Sequence, residues 1–373
     1  MKLFAAVLGS LLALSCASVA AMPPSQHVFL VVEENHSYSS VIGSSSMPYL
    51  NSLANRYGLA THYYANTHPS IGNYFMVTTG QIVTNDDSYT GVTSVDNIVA
   101  HLQTAGKTWK SYAESLPYAG YTGGNSGWYV KRHNPFAYFS DVVHSNEKFN
   151  LVPFTEFASD LANNQLPNFS FIAPNVLHDA HNGTLAQADA WLSQNIAPLL
   201  ASSTFRRDGI LIIVFDEGKS SDGQGGGGHV AALVIGPQVH AGYRSTATYQ
   251  HQSTLKSLLQ SLGLTSFPGA AQNAPNMGEF FSGSSQGSVT VSSPVNNSVV
   301  SSPVHYVASS TTTCPRGMSA IGIYTSPGHL AYWVHGAHLD HYLSLSPGDY
   351  QTTVQAWDNC SNAFKQHIAI TVR

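Results

Sequence analysis

With 373 residues, 43% of them hydrophobic, the chain has enough apolar material for one large domain or two ordinary ones. Only 9% of its residues are charged and the formal net charge is -5, which gives no electrostatic basis for nucleic acid or an anionic membrane as partner. Histidine, at 18 copies, outnumbers Lys plus Arg at 15, a ratio that points toward metal or proton chemistry.

The N-terminus, MKLFAAVLGSLLALSCASVAAM, joins Lys2 to an apolar run from Leu3 to Leu14 and to small residues at Ser18 and Ala20. This is the pattern of a secretory signal peptide over residues 1–21, so a secreted or periplasmic protein is expected. A lipoprotein site at Cys16 is the alternative. No later stretch approaches the ~20 apolar residues of a membrane span, so no integral membrane segment is expected.

From residue 22 to 281, apolar runs alternate with helical patterns. HVFLVV, KTWKSY, NFSFIAP, GILIIVF and HVAALVIG read as buried strands, and VDNIVAHLQTAG and AQADAWLSQNIAPLL carry apolar residues at helical spacing. Strands without strict alternation, each followed by a helix, imply an α/β domain whose sheet is covered by helices on both faces. SGSSQGS, Ser282 to Ser288, reads as a linker. From 289 to 373 the runs are short and alternating, with turn residues every eight to twelve positions, as in a small immunoglobulin-like or fibronectin-like β-sandwich. Cys314 and Cys360 fall in this region, and in an exported protein an even pair is most simply one disulfide.

Ligands of open α/β sheets bind beyond the carboxyl ends of the strands. Glu33, Glu34 and Asn35 follow HVFLVV, and Asn175, His178, Asp179 and His181 follow NFSFIAP. Asp216 and Glu217 end GILIIVF, and a loop containing GQGGGG then delivers His229 to the next strand. Each group has a plain reading as a helix cap, a solvated turn or a surface histidine. Their coincidence at one sheet edge suits a metal site assembled from distant parts of the chain. The glycine run lacks the Lys-Ser/Thr of a P-loop and reads as a flexible flap. In YANTHPSIGNYFMVTTG, a helix beginning near Ser70 places that hydroxyl among free backbone N–H groups, a ready anion site. An N-cap serine is the alternative, and one residue can serve both roles.

EENHSYSSVIG, THPSIGNY, KRHNPFAYF, FIAPNVLHDAHNG, VFDEG and GGGGHVAALVIGP occur in an order that resembles the phosphoesterase family of acid phosphatases and phospholipases C, within the alkaline phosphatase superfamily. The resemblance covers about residues 27 to 281 and leaves out the sandwich. It implies an alkaline-phosphatase-like fold, with Ser70 as nucleophile and Thr67 as runner-up. It also implies metal binding by Glu34, Asn35, Asp216 and Glu217, although many relatives carry two Asp residues at the last pair. His133 and His181 match histidines that contact the phosphoryl group. Asn73, His68, Asp179 and His229 match neighbouring substrate-binding positions.

The activity so implied is hydrolysis of small phosphate esters by a secreted acid phosphatase through a phosphoserine intermediate. A divalent ion is required, with Mg, Ca, Mn, Zn and Fe all compatible with the donor set. Protonated imidazoles would favour mildly acidic pH. Two other readings remain. One is a phospholipase C-type phosphodiesterase. The other is a non-catalytic adhesion protein whose sandwich contacts polysaccharide or a cell surface through Tyr332, Trp333, Tyr342 and Trp357, residues that in a sandwich more often fill the core. His251 precedes a helical pattern and reads as an aid to its N-terminus.

Overall fold

The computed structural model describes residues 21–281, 287–312, 314, 317–359 and 362–373. The expected signal peptide through residue 20, most of the linker, and Cys360 with its expected pairing to Cys314 lie outside the described residues.

Eight strands form the first sheet: β1 (Val28–Glu33), β2 (Gly58–Tyr63), β3 (Trp109–Ala113), β4 (Leu151–Pro153), β5 (Phe169–Ala173), β6 (Ile210–Phe215), β7 (Ala232–Ile235) and β8 (Arg244–Tyr249). Their order is β4-β3-β5-β1-β6-β7-β2-β8. β7 runs antiparallel to both of its neighbours, and the other pairings are parallel. Every residue of β1, β5 and β6 is buried, as strands covered on both faces must be. Their Val, Ile, Leu and Phe side chains join one core with those of the surrounding helices.

The five apolar runs picked from the sequence correspond to β1, β3, β5, β6 and β7. β2 (GLATHY) and β8 (RSTATY) carry Thr, His, Ser and Arg in place of a continuous apolar run, because they lie at one side of the sheet where residues face outward. The connection from β6 to β7 holds a single 3-10 turn and no crossover α-helix, and β7 accordingly returns antiparallel beside β6.

Eight further strands lie in the C-terminal region: β9 (Gly287–Ser293), β10 (Ser298–Val300), β11 (Val304–Thr312), β12 (Met318–Ser326), β13 (His329–His335), β14 (His338–Leu343), β15 (Gly348–Asp358) and β16 (Ala363–Val372). They form a five-stranded sheet ordered β10-β16-β15-β12-β13 and a three-stranded sheet ordered β14-β11-β9. Val304, Tyr306, Ile321, Ile323, Leu339, Val354, Ile368 and Ile370 share one core between them, consistent with the expected sandwich.

Candidate active site

The helix Ser70–Thr79 follows β2, and all ten of its residues are buried. Ser70 is its first residue, so the backbone N–H groups of the opening turn lack helical acceptors. One of them, on Ile71, donates to Asp87 Oδ1 at 3.2 Å. Ser70 Oγ donates to Glu34 Oε2 at 3.1 Å and lies 3.5 Å from Glu217 Oε1. Thr67, the other hydroxyl of this segment, donates to the His68 carbonyl at 3.1 Å.

The carboxylates arrive from the ends of β1 and β6. Asn35 adopts a left-handed backbone (φ 57°) and its N–H donates to Asp216 Oδ1 at 3.1 Å, tying the two strand ends together. The Glu217 N–H donates to the same oxygen at 2.5 Å. Asp216 Oδ2 is buried and has no hydrogen-bond partner among the described residues. Burial, followed by the charge of Asp216, raises the Glu34 carboxyl well above its ordinary pKa. Burial first pushes Asp216 up to about 7, and burial with the Asp216 charge pushes Glu217 up to about 9.

His133 and Asp179 complete the centre. His133 Nδ1 lies 3.0 Å from Asp179 Oδ2, and its ring stacks on Tyr74 with centroids 5.1 Å apart at 5°. Nε2 then lies 3.1 Å from Glu34 Oε1, yet neither atom makes a hydrogen bond among the described residues. Burial first, then the charge of Arg132, hold the His133 pKa well below 6.5, so the ring is neutral. With the Nδ1 proton given to Asp179, an Nε2 lone pair faces a carboxylate oxygen at hydrogen-bond distance. Such a pair is repulsive unless a cation or a proton stands between them.

Glu34, His133 and His181 each present one ligand atom, and those atoms lie within 4.8 Å of one another. Three orphaned buried atoms, on Glu34, His133 and Asp216, therefore suit a divalent cation, with a mixed oxygen and nitrogen donor set. His133 thus stands with the candidate ligands, a role the sequence reading had not given it.

The remaining expected residues divide by what they touch. His181 takes its backbone from Asp179, whose Oδ1 accepts the His181 N–H at 2.8 Å, while His181 Nε2 accepts from Arg132 at 3.0 Å. His68 joins Glu217 Oε2 at 2.8 Å through Nδ1 and the Asp222 carbonyl at 2.9 Å through Nε2. Asn73 is turned to the chain: its Oδ1 accepts the N–H groups of Asn66 and Thr67, and its Nδ2 donates to the Thr67 carbonyl at 2.7 Å. His229 stacks on Tyr38 at 4.4 Å and bonds the Thr61 carbonyl at 2.9 Å, so its ring packs against β2.

The glycine run is no free flap. A Cβ on Gly226 (φ 110°) would stand 2.1 Å from the Asn66 carbonyl oxygen, and one on Gly227 would stand 2.2 Å from that of Thr67. Gly227 and Gly228 also exchange backbone hydrogen bonds with Ala65 at 3.0 and 2.9 Å.

Four residues stand in places at the site that sequence reasoning does not assign them. Arg132 lies 3.3 Å from Asp87 Oδ2 and reaches His181, and its one signal is adjacency to His133. Tyr74 lies one helical turn after Ser70, on the same face, a spacing that could have flagged it. His251, at the start of the helix His251–Ser261, bonds the Asp216 carbonyl at 2.6 Å through Nε2, supporting that residue from behind. Glu33 is fully buried with both carboxylate oxygens unpartnered among the described residues, and burial followed by the charge of Asp179 raises its pKa well above the ordinary value.

The phosphoesterase family matches this chain over residues 44–265. A phosphatidylinositol-3-phosphatase of Mycobacterium tuberculosis is 32% identical over 260 residues, 69% of this chain and 83% of that protein. A probable acid phosphatase of Kluyveromyces lactis is 33% identical over 62% of this chain, which spans only 56% of that relative. Among solved structures, the lipoteichoic acid synthase LtaP of Listeria monocytogenes shares the fold with a TM-score of 0.50 at 12% identity, covering 69% of this chain and 78% of that one. The chain belongs to the phosphoesterase family and is a hydrolase acting on phosphate esters.

Proposed function

We propose that the protein is a secreted, metal-dependent acid phosphatase that hydrolyses phosphate monoesters through a phosphoserine at Ser70. The observation that carries this reading is the Ser70 hydroxyl, held at a helix N-terminus and donating to Glu34. A nucleophile, a proton acceptor and an anion-binding helix end thereby meet at one atom. The names of the mycobacterial and yeast relatives, both phosphatases, support a monoester as substrate.

As the Ser70 Oγ–phosphorus bond forms, the hydroxyl proton passes to the Glu34 or Glu217 carboxylate, the bond from phosphorus to the ester oxygen breaks, and that oxygen takes a proton from solvent to leave as the alcohol. Water then attacks phosphorus from the vacated side and gives one proton to solvent, the Oγ–phosphorus bond breaks, and the carboxyl returns its proton to Ser70. Arg132 lies at His181 and at the Asp87 carboxylate that receives the Ile71 N–H, and its guanidinium would hold a phosphoryl oxygen through the in-line step. Glu34, His133 and Asp216 own the free atoms that would hold a divalent ion, with Asn35, Glu217 and His181 beside them. When bound, that ion supplies positive charge against the phosphoryl oxygens and favours the serine alkoxide.

The expectation that protonated imidazole favours acidic pH does not extend to His133, which burial keeps neutral.

The test is a rapid quench with a labelled monoester at several pH values, beside a diester, and with metal content measured on the same protein. A denaturation-stable label on Ser70, at least ~10⁴-fold slower turnover in Ser70→Ala, and preference for the monoester are expected. Near-normal turnover in Ser70→Ala would overturn the nucleophile assignment.

A further inference from the structure

We propose that the outer face of the five-stranded sheet binds a neutral polysaccharide through Trp333, Trp357 and Tyr324. The sequence suggested Tyr332, Trp333, Tyr342 and Trp357 as a set, and the fold separates them. Tyr332 packs on the sandwich core and stacks on His341 at 3.6 Å, while Tyr342 stacks on His305 within the three-stranded sheet. Strand alternation settles the outer face of the other sheet. Ile321 and Ile323 of β12 and Val354 and Ala356 of β15 point into the core, so Gly322, Tyr324, Gln355 and Trp357 point away from it.

The register then sets these residues side by side. Gly322 pairs with Trp333 on β13 and with Gln355 on β15, and Trp357 lies one pleat further along, opposite Ala320. Gly322 has no room for a side chain: a Cβ there would stand 2.9 Å from Leu330 Cδ1 and 3.1 Å from Trp333 Cβ. The rings of Tyr324 and Trp357 approach to 6.2 Å at 56°. Trp333 is 50% exposed and Leu330 40% exposed.

Three features select the occupant. The aromatic residues supply flat π faces, and Gln355, Thr353 and His367 beside them supply amide, hydroxyl and imidazole groups, a mixture suited to the CH faces and hydroxyls of sugar rings. Among the rows named, Lys365 is the one formally charged residue, so neither an acidic nor a strongly basic partner is matched by charge. The exposed apolar area is small. A fully covered aromatic residue accounts for only ~150–250 Å², so the partly covered rings and Leu330 fall short of the ~800 Å² that each partner contributes to a stable protein interface.

The test uses the full chain in pull-down and affinity electrophoresis against cellulose, xylan, chitin, starch and soluble β-glucan, with its mass in solution measured in parallel. Retention by at least one of these polysaccharides is expected. Trp333→Ala, an exposed residue of an edge strand, should lower the bound fraction at least fivefold and leave monoester hydrolysis unchanged. Gln355→Ala should give a smaller loss and guards against a folding defect in the first variant. Retention by none of the five, or equal retention of Trp333→Ala and the parent chain, would overturn the proposal. So would a dimer that Trp333→Ala converts to monomer, because that result makes the face a contact between copies.

Discussion

The α/β region and the C-terminal sandwich place their polar chemistry in opposite ways. At the ends of β1, β5 and β6, ionisable groups are buried: Glu33, Glu34, Asp179 and Asp216 are nearly or wholly out of solvent. In the sandwich, the core between the sheets is mostly aliphatic, and much of its histidine and aromatic content faces outward or lies at the edges. Burying a carboxylate without a partner costs several kcal/mol or forces it to take a proton. Exposing a tryptophan costs little. The first arrangement persists where a proton, a ligand or an ion offsets its cost, whereas the second needs none of these to fold.

Substitutions that remove a buried charge should affect turnover most. Glu34→Gln keeps the side-chain volume but removes the carboxylate that accepts the Ser70 proton and faces His133. Turnover should fall by at least ~10³-fold, while the metal-free variant melts no lower than the metal-free parent, since burial already favours the uncharged form of Glu34 when no ion is present. A clear drop in its melting temperature would mean that the charge is compensated within the chain, and would break the contrast.

Metal removal by a chelator should act comparably on turnover and also make stability depend on pH. Asp179, Asp216 and Glu217 have folded pKa values pushed up to about 7, 7 and 9, chiefly by burial. The folded state therefore binds more protons than the unfolded chain between the ordinary carboxylate range and those values. Stability of the stripped protein should be fully present at pH ~4 and fall as pH rises through ~7 to ~9. Thermal melts across that range check the sign, and the metal-loaded protein should give a flatter profile.

Arg132→Ala should lower kcat/KM by about 10²-fold, with little change in stability, because its guanidinium is partly exposed. Steady-state kinetics would show it. The smallest effect on turnover is expected from Ile321→Ala in the sandwich core. It should cost that fold about 2–4 kcal/mol in a denaturant titration and leave kcat/KM where it was.

Much of the site was legible because strands of one sheet stop at one edge, so residues far apart in sequence converge once their strands are recognised. Glu34, Ser70, Asp216, Glu217, His133 and Asp179 were found this way or through family motifs. The use of each side chain was less legible. Asn73 and His229 match family motif positions, yet the first secures the Asn66–Thr67 backbone and the second packs against tyrosines. Neither spacing nor residue type distinguishes an amide that meets substrate from one that meets the main chain. β2 and β8 were missed because polar residues interrupt their apolar pattern, and Arg132 because a lone arginine beside a motif carries no periodic signal.

The glycine run beside Ala65, Asn66 and Thr67 has one more effect. Main chain rests directly on main chain there, so the spacing between the acidic strand end and the loop preceding the nucleophile is set by backbone thickness alone. Side chains elsewhere in the pocket can drift in size without altering that gauge. A single methyl group at Gly226 or Gly227 would act as a shim, lifting the serine away from its acids without replacing any reacting group.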